Sequence, residues 1–145
     1  MKPNRKLAET TTPDGGCLTL NEHDGSYCIR LNGQPLMHSS VAASELLLGE
    51  LAVGRLADQA NPNVLIGGLG LGFSLKSLLS KVGPTATVHV AELIPEIVDW
   101  NRKFLAGLNG ALLDDTRVRI FVEDVWNVIA RAHAVDPRRI YATGI

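Results

Sequence analysis

The run Val64-Leu65-Ile66-Gly67-Gly68-Leu69-Gly70-Leu71-Gly72-Phe73 takes an apolar strand into four glycines within six positions and then into a helical pattern. Glycine tolerates positive φ and has no Cβ, so main chain of this kind turns sharply and lets a ligand approach closely. The run reads as a turn that accommodates a phosphate or a nucleoside. Twenty residues past Gly72, the strand-like Ala86-Thr87-Val88-His89-Val90-Ala91 ends in Glu92. An acidic residue at about that spacing is where a nucleoside ribose expects its hydroxyl acceptor.

The glycine spacing selects among nucleotides. A G-x-G-x-x-G fingerprint beginning at Gly68 and Gly70 would need a small residue where Phe73 stands, which argues against NAD and FAD. No Gly-Lys-Ser/Thr follows, and Lys76 lies a full turn into the helix, so a P-loop is excluded. The remaining pattern, G-x-G-x-G, is that of class I S-adenosylmethionine folds, where no pyrophosphate is held. The alternative is a purely structural strand-to-helix turn.

Around this turn the chain changes rhythm. Short alternating runs at 17–20, 27–31 and 35–37 are separated by Asp14-Gly15-Gly16, Asp24-Gly25 and Asn32-Gly33, which are hairpin turn signals. Residues 1–39 are therefore expected to form a small antiparallel β unit, and residues 40–145 an α/β domain. A helix is expected from Ser40, capped by Ser39 or Ser40, with Leu47, Leu48, Leu51 and Ala52 on one face, up to Asn61-Pro62. Strands at 63–67, 86–91, 117–122 and 139–143 then alternate with helices at 72–81, 95–105 and 125–133. That alternation predicts a Rossmann-like parallel sheet flanked by helices. Leu46, Leu47, Leu78, Leu79, Trp100 and Phe104 are expected in the core, and Trp126 in ordinary packing, with lining of a pocket beside Asp124 as the alternative.

In such a sheet ligands sit at the carboxyl ends of the strands. The third strand ends in Glu123-Asp124. A carboxylate there suits the exocyclic amine of adenine, with Leu93 and Val125 sandwiching the base. The competing role for Asp124 is to cap the next helix, and for Glu92 it is that of a solvent-facing carboxylate.

Composition narrows the partners. The 145 residues are 46% hydrophobic and 20% charged, with a formal net charge of −1 and no basic stripe interleaved with aromatics, so nucleic acid is not expected. No uncharged apolar stretch reaches membrane-spanning length. Cys17 and Cys28 imply no disulfide framework and fit a reduced, cytoplasmic setting. His23, His38, His89 and His133 are dispersed, and no metal site is expected.

Three motifs in order resemble the polyamine aminopropyltransferases, spermidine synthase and its relatives, over about positions 18–135. Ile66-Gly67-Gly68-Leu69-Gly70-Leu71-Gly72 is similar to the family's I-G-G-G-D-G-G. Ala91-Glu92-Leu93-Ile94-Pro95-Glu96-Ile97-Val98 is similar to V-E-I-D-P-E-V-I. Asp114-Asp115-Thr116-Arg117-Val118 followed by Glu123-Asp124 resembles D-D-P-R-V and then G-D. The resemblance implies that Glu92 binds the ribose hydroxyls and Asp124 the adenine amine. The glycine turn (Gly67, Gly68, Gly70, Gly72) would face the thioether portion of S-adenosylmethionine or its decarboxylated form, which serves as co-substrate.

The sequence also departs from that family. Gly70 replaces the aspartate of the glycine turn, and Ala43-Ser44-Glu45 stand where a Tyr-His-Glu arrangement is usual. Tyr141-Ala142-Thr143-Gly144-Ile145 ends about two residues before the catalytic aspartate of the family's fourth strand would fall. The expectation is thus a spermidine synthase-like transferase truncated at its C-terminus, with a small-molecule amine as acceptor and no catalytic residue assigned. The alternatives are a non-catalytic adenosyl-binding or assembly module and a methyltransferase relative. The open sheet edge left by such a truncation predicts a homodimer.

Overall fold

The structure, a computed structural model, describes residues 2–56, 58–135 and 142–144. Four antiparallel strands come first: β1 (Arg5–Thr11), β2 (Cys17–His23), β3 (Ser26–Leu31) and β4 (Gln34–His38), paired in that order. Asp24-Gly25 and Asn32-Gly33 join them as two-residue turns, with φ of 49°, 79°, 50° and 80° respectively. Positive φ at both central residues matches the right-handed twist of the flanking strands. Alternation along β2 and β3 points Leu18, Leu20 and Ile29 inward. Strand β1 went unread in the sequence. It is an edge strand held by its ladder to β2, and its mixture of charged residues and threonine shows no apolar alternation.

The rest of the chain alternates. Helix α1 (Ala43–Gly54) leads to β5 (Asn63–Gly67), α2 (Phe73–Leu79), β6 (Thr87–Ala91), α3 (Pro95–Lys103) and α4 (Ala106–Asn109). A 3-10 turn (Leu112–Asp114) precedes β7 (Val118–Phe121), α5 (Val125–Val135) and β8 (Ala142–Gly144). The second sheet is parallel, in the order β7-β6-β5-β8. The strand expected at 139–143 lies outside the described residues at 139–141, while β8 pairs beside Leu65–Gly67. Strand order reverses at β5, whose neighbours are β6, the strand after it, and β8, the last of the described strands. That is the topological switch point where α/β sheets open a crevice.

Leu18, Leu20 and Ile29 of the first sheet join Val64, Ile66, Leu75, Leu78, Val88, Val90, Ile97 and Trp100 in one apolar cluster. The opposite face of the parallel sheet carries a smaller cluster of Leu65, Ala91 and Val128, with Phe121, Val125 and Ile129 against it. Among the described residues no helix is long and apolar enough to cross a membrane. Cys17 and Cys28 are both free thiols.

Several expectations are corrected. Helix α1 starts at Ala43, and neither Ser39 nor Ser40 caps it. The Ser39 hydroxyl accepts the Tyr27 N–H at 2.8 Å, and the Ser40 hydroxyl bonds His38 Nδ1 at 2.7 Å, so β3 and β4 have taken both. Leu46 and Leu47 are exposed rather than core, as is Leu51. The helix packs on α2 through its small residues instead: a Cβ on Gly49 would stand 2.5 Å from Ser77 Oγ, and the Ser77 hydroxyl donates to Leu46 O at 3.2 Å. Leu78, Leu79 and Trp100 are buried and Phe104 half-buried. Trp126 is 72% exposed, so packing does not account for it.

The Asp-Asp-Thr-Arg-Val segment performs a structural task at the start of β7. Arg117 donates from Nε and Nη2 to the two oxygens of Asp115 at 2.9 and 2.8 Å, and from Nη1 to Val82 O at 2.8 Å. A forked guanidinium pair of this kind ties the entry of β7 to the end of α2. Its Arg117 partner lowers the Asp115 carboxyl to about 2.

Candidate nucleoside site at the sheet rim

Register brings the candidate residues together. Gly67 is opposite Ala91, and Ala91 is opposite Phe121, so three strands finish level with one another. The ladder continues one step further, with Gly68 N–H donating to Ala91 O at 2.8 Å and Glu92 N–H to Phe121 O at 2.9 Å. The glycine turn, Glu92-Leu93 and Glu123-Asp124 therefore leave the sheet side by side, although they are far apart in sequence.

The turn itself is left-handed at every second residue: φ is 89° at Gly68, 52° at Gly70 and 87° at Gly72. At Gly68 a Cβ would meet nothing within 4 Å, so the space over that α-carbon is open. At Gly72 it would stand 2.9 Å from Asn101 Oδ1 and 3.1 Å from Asn109 Nδ2, so that glycine is required by packing as well as by backbone. Gly67 is not left-handed. There the limit is Val125, whose Cγ2 lies 3.1 Å from a hypothetical Cβ.

Glu92 is 6% exposed, and the solvent-facing alternative is thereby set aside. Its Oε2 accepts the Leu69 N–H at 2.8 Å and its Oε1 the Ile94 N–H at 2.9 Å. A carboxylate offers about four lone-pair sites, so each oxygen keeps room for a further donor such as a ribose hydroxyl.

Asp124 does cap α5: its Oδ1 accepts the Trp126 N–H at 2.8 Å. Its residue is exposed, and its second oxygen is the one on which an adenine amine could draw. Glu123 is occupied elsewhere, forked onto Arg131, and this partner pulls its carboxyl below the usual range. Leu93 is 51% exposed on the same rim, with Val122 and Trp126 also exposed. Exposed apolar side chains that follow or flank these strand ends are of the kind that can cover the face of a base. Val125 is half-buried against Gly67 and the small cluster, so it supports the strand end more than it opens to the rim.

Two residues of the site were missed in the sequence. Asn101 and Asn109 are each 7% exposed. Asn101 Nδ2 donates to Gly70 O at 2.8 Å and Ile97 O at 2.9 Å, while Asn109 Nδ2 donates to Leu71 O at 2.5 Å. The available signal was Asn101 itself, a carboxamide on a helical stripe otherwise made of Ile97, Val98 and Trp100. Among the described residues no group of three or more His, Cys, Asp or Glu could hold a metal ion.

No protein-family model and no curated protein sequence matches the chain. Solved structures do. A spermidine synthase in complex with the transition-state analogue AdoDATO superimposes with a TM-score of 0.70 at 18% identity, over 88% of this chain and 43% of its own. This chain has a spermidine synthase-like fold. The Thermotoga maritima spermidine synthase gives a TM-score of 0.69 at 18% identity, over 88% of this chain and 44% of its own. A probable spermidine synthase from Corynebacterium glutamicum gives 0.56 at 18% identity, over 89% and 47%. The chain thus spans less than half the length of these solved structures, and the match includes both the antiparallel unit and the parallel sheet.

Proposed function

We propose that this chain binds an adenosyl thioether at the rim of its parallel sheet and is a spermidine synthase-like transferase. One observation carries the reading: the buried Glu92 carboxylate sits between the glycine turn and the exposed Leu93, next to Asp124 on the neighbouring strand end. In this arrangement Glu92 receives the ribose hydroxyls, Asp124 the adenine amine, and the open space over Gly68 the sulfur-bearing portion of the ligand. The residues fit S-adenosylmethionine or its decarboxylated form better than a dinucleotide, since Phe73 begins α2 where a dinucleotide fold needs a small residue. That a spermidine synthase of the same fold binds AdoDATO supports the adenosyl assignment.

Aminopropyl transfer displaces a thioether from a carbon beside a sulfonium. The amine nitrogen forms the new C–N bond, the C–S bond breaks with its electron pair going to sulfur, and a proton leaves the amine. The leaving group is already activated, so the protein must supply alignment and a neutral amine. The acceptor is a small-molecule amine, and the setting is cytoplasmic.

The test is incubation of the full chain with putrescine and decarboxylated S-adenosylmethionine, following methylthioadenosine by chromatography. Product formation that disappears with Glu92→Ala is the expected result. A second reading, an adenosyl-binding module without chemistry, is favoured by Gly70, which offers no carboxylate where the resembled family has one. Tight binding of methylthioadenosine with no turnover would select that module, and absence of binding would reject both.

A further inference from the structure

Three consecutive residues of the glycine turn are each held by a side chain from a different element. Leu69 is held by Glu92 after β6, Gly70 by Asn101 in α3, and Leu71 by Asn109 in α4. Glu92 already has a place in the site; the two asparagines do not. We propose that Asn101 and Asn109 are positioning residues that fix the main chain of the glycine turn in its ligand-accepting shape. This rests on the adenosyl reading above.

The chemistry favours such a role over simple packing. A carboxamide buried beyond nine-tenths is costly unless its groups are bonded. Asn109 keeps its Nδ2 on Leu71 O while its own Oδ1 is buried with no partner among the described residues. Packing alone would be better served by an apolar side chain of similar volume, so the Nδ2 donor is what the position retains. Asn101 bridges Gly70 O and Ile97 O, and so ties the turn to the first coil of α3. Because a trans peptide sets each N–H opposite its carbonyl, holding the Gly70 and Leu71 carbonyls also sets the planes of the two peptides that follow.

The consequence for binding is entropic. A turn with four glycines has more conformations to lose than a glycine-free turn of the same length. If that loss came at the moment of ligand binding, it would subtract from affinity; when folding has already ordered the turn, it does not. Asn101 Oδ1 and Asn109 Nδ2 also stand 2.9 and 3.1 Å from the position of a Cβ on Gly72, so the two carboxamides close over that α-carbon.

The experiment measures 5′-methylthioadenosine binding by titration calorimetry for the full chain, Asn101→Leu, Asn109→Leu and a control, Val118→Ala. The control weakens the core at the start of β7 and removes none of the side-chain hydrogen bonds that hold the turn. Amide hydrogen exchange at residues 69–72 is recorded on the same ligand-free proteins. Each leucine variant is expected to bind about tenfold more weakly or worse, with faster exchange at 69–72, while the control binds as the parent does. Parent-like affinity in both leucine variants, or an equal loss in the control, overturns the proposal. If the parent itself does not bind methylthioadenosine, the adenosyl reading falls. The exchange arm still decides the asparagines' role, because unchanged exchange at 69–72 in both variants rejects it. Should either leucine variant fail to fold, Asn101→Ala and Asn109→Ala, which remove the donor with a smaller side chain, are judged by the same two measurements.

Discussion

Glu92 Oε2 accepts the Leu69 N–H at 2.8 Å, so the carboxylate at the end of β6 holds the loop that leaves β5. One side chain thereby ties the end of one strand to the loop that leaves its neighbour. Ile94 N–H on the other oxygen at 2.9 Å aims the carboxylate between the two loops.

Because both oxygens of Glu92 accept main-chain donors, Glu92→Gln is more disruptive than an isosteric change suggests. The new amide group must face either Leu69 N–H or Ile94 N–H, leaving a donor against a donor. The expected cost is about 1–3 kcal/mol in denaturant unfolding, with at least a tenfold loss of methylthioadenosine affinity in calorimetry. Affinity equal to the parent's would remove Glu92 from the site.

Gly72 and Gly68 share nearly the same backbone angle but not the same surroundings. Gly72→Ala meets Asn101, Asn109 and Leu112 at 2.9–3.2 Å as well as backbone strain, and is expected to destabilise by about 3 kcal/mol. Gly68→Ala carries the strain alone, about 1 kcal/mol, and places its methyl in the open space assigned to the ligand. Chemical denaturation separates the two variants in stability, while calorimetry should show that Gly68→Ala loses ligand out of proportion to its stability.

Asp124 is assigned two roles that Asp124→Ser can divide. A serine keeps the α5 cap, so thermal unfolding should move little, whereas Asp124→Ala loses about 1 kcal/mol. If the second carboxylate oxygen receives the adenine amine, both variants bind methylthioadenosine more weakly, and to a similar degree. Full affinity in the serine variant would leave Asp124 as a cap only.

The Asp115–Arg117 pair makes an acid-range prediction. The Asp115 carboxyl falls to about 2 in the fold from an ordinary 3.8, so its contribution is complete above pH 3.8 and lost as pH falls toward 2. After allowance for solvent screening the contribution is about 1 kcal/mol. Asp115→Asn should lower stability at pH 7 by that amount and flatten the loss of stability between pH 4 and pH 2, read from urea midpoints. An unchanged acid profile would show that the fork contributes nothing.

Self-association is the remaining prediction. Leu47 and Leu51 lie four residues apart on the outer side of α1 and are 53% and 60% exposed. Among the described strands β8 has β5 as its partner. A homodimer at micromolar concentration is expected, with Leu51→Lys shifting it toward monomer. A monodisperse monomer for the parent in light scattering would refute this.

Much of the fold could be read from residues alone, because it depends on local pattern. Asp24-Gly25 and Asn32-Gly33 specify tight hairpins, the apolar run before Gly67 specifies a buried parallel strand, and Pro95 with Glu96 opens α3. The spacing from Gly72 to Glu92 likewise placed an acid beside a glycine turn, since one βαβ unit sets that distance. What the sequence could not decide were the relationships made across space. Periodicity pointed the leucines of α1 inward, but close approach of Gly49 to Ser77 turned the small residues in and the leucines out. Asn101 and Asn109 reach Gly70 and Leu71 across 31 and 38 residues, a pairing to which no short pattern refers. Local chemistry wrote the strands, turns and acids; only packing of α3 and α4 against the glycine turn determined that its carbonyls are hydrogen-bonded by Asn101 and Asn109, because hydrogen bonds between distant segments exist only once the chain has closed.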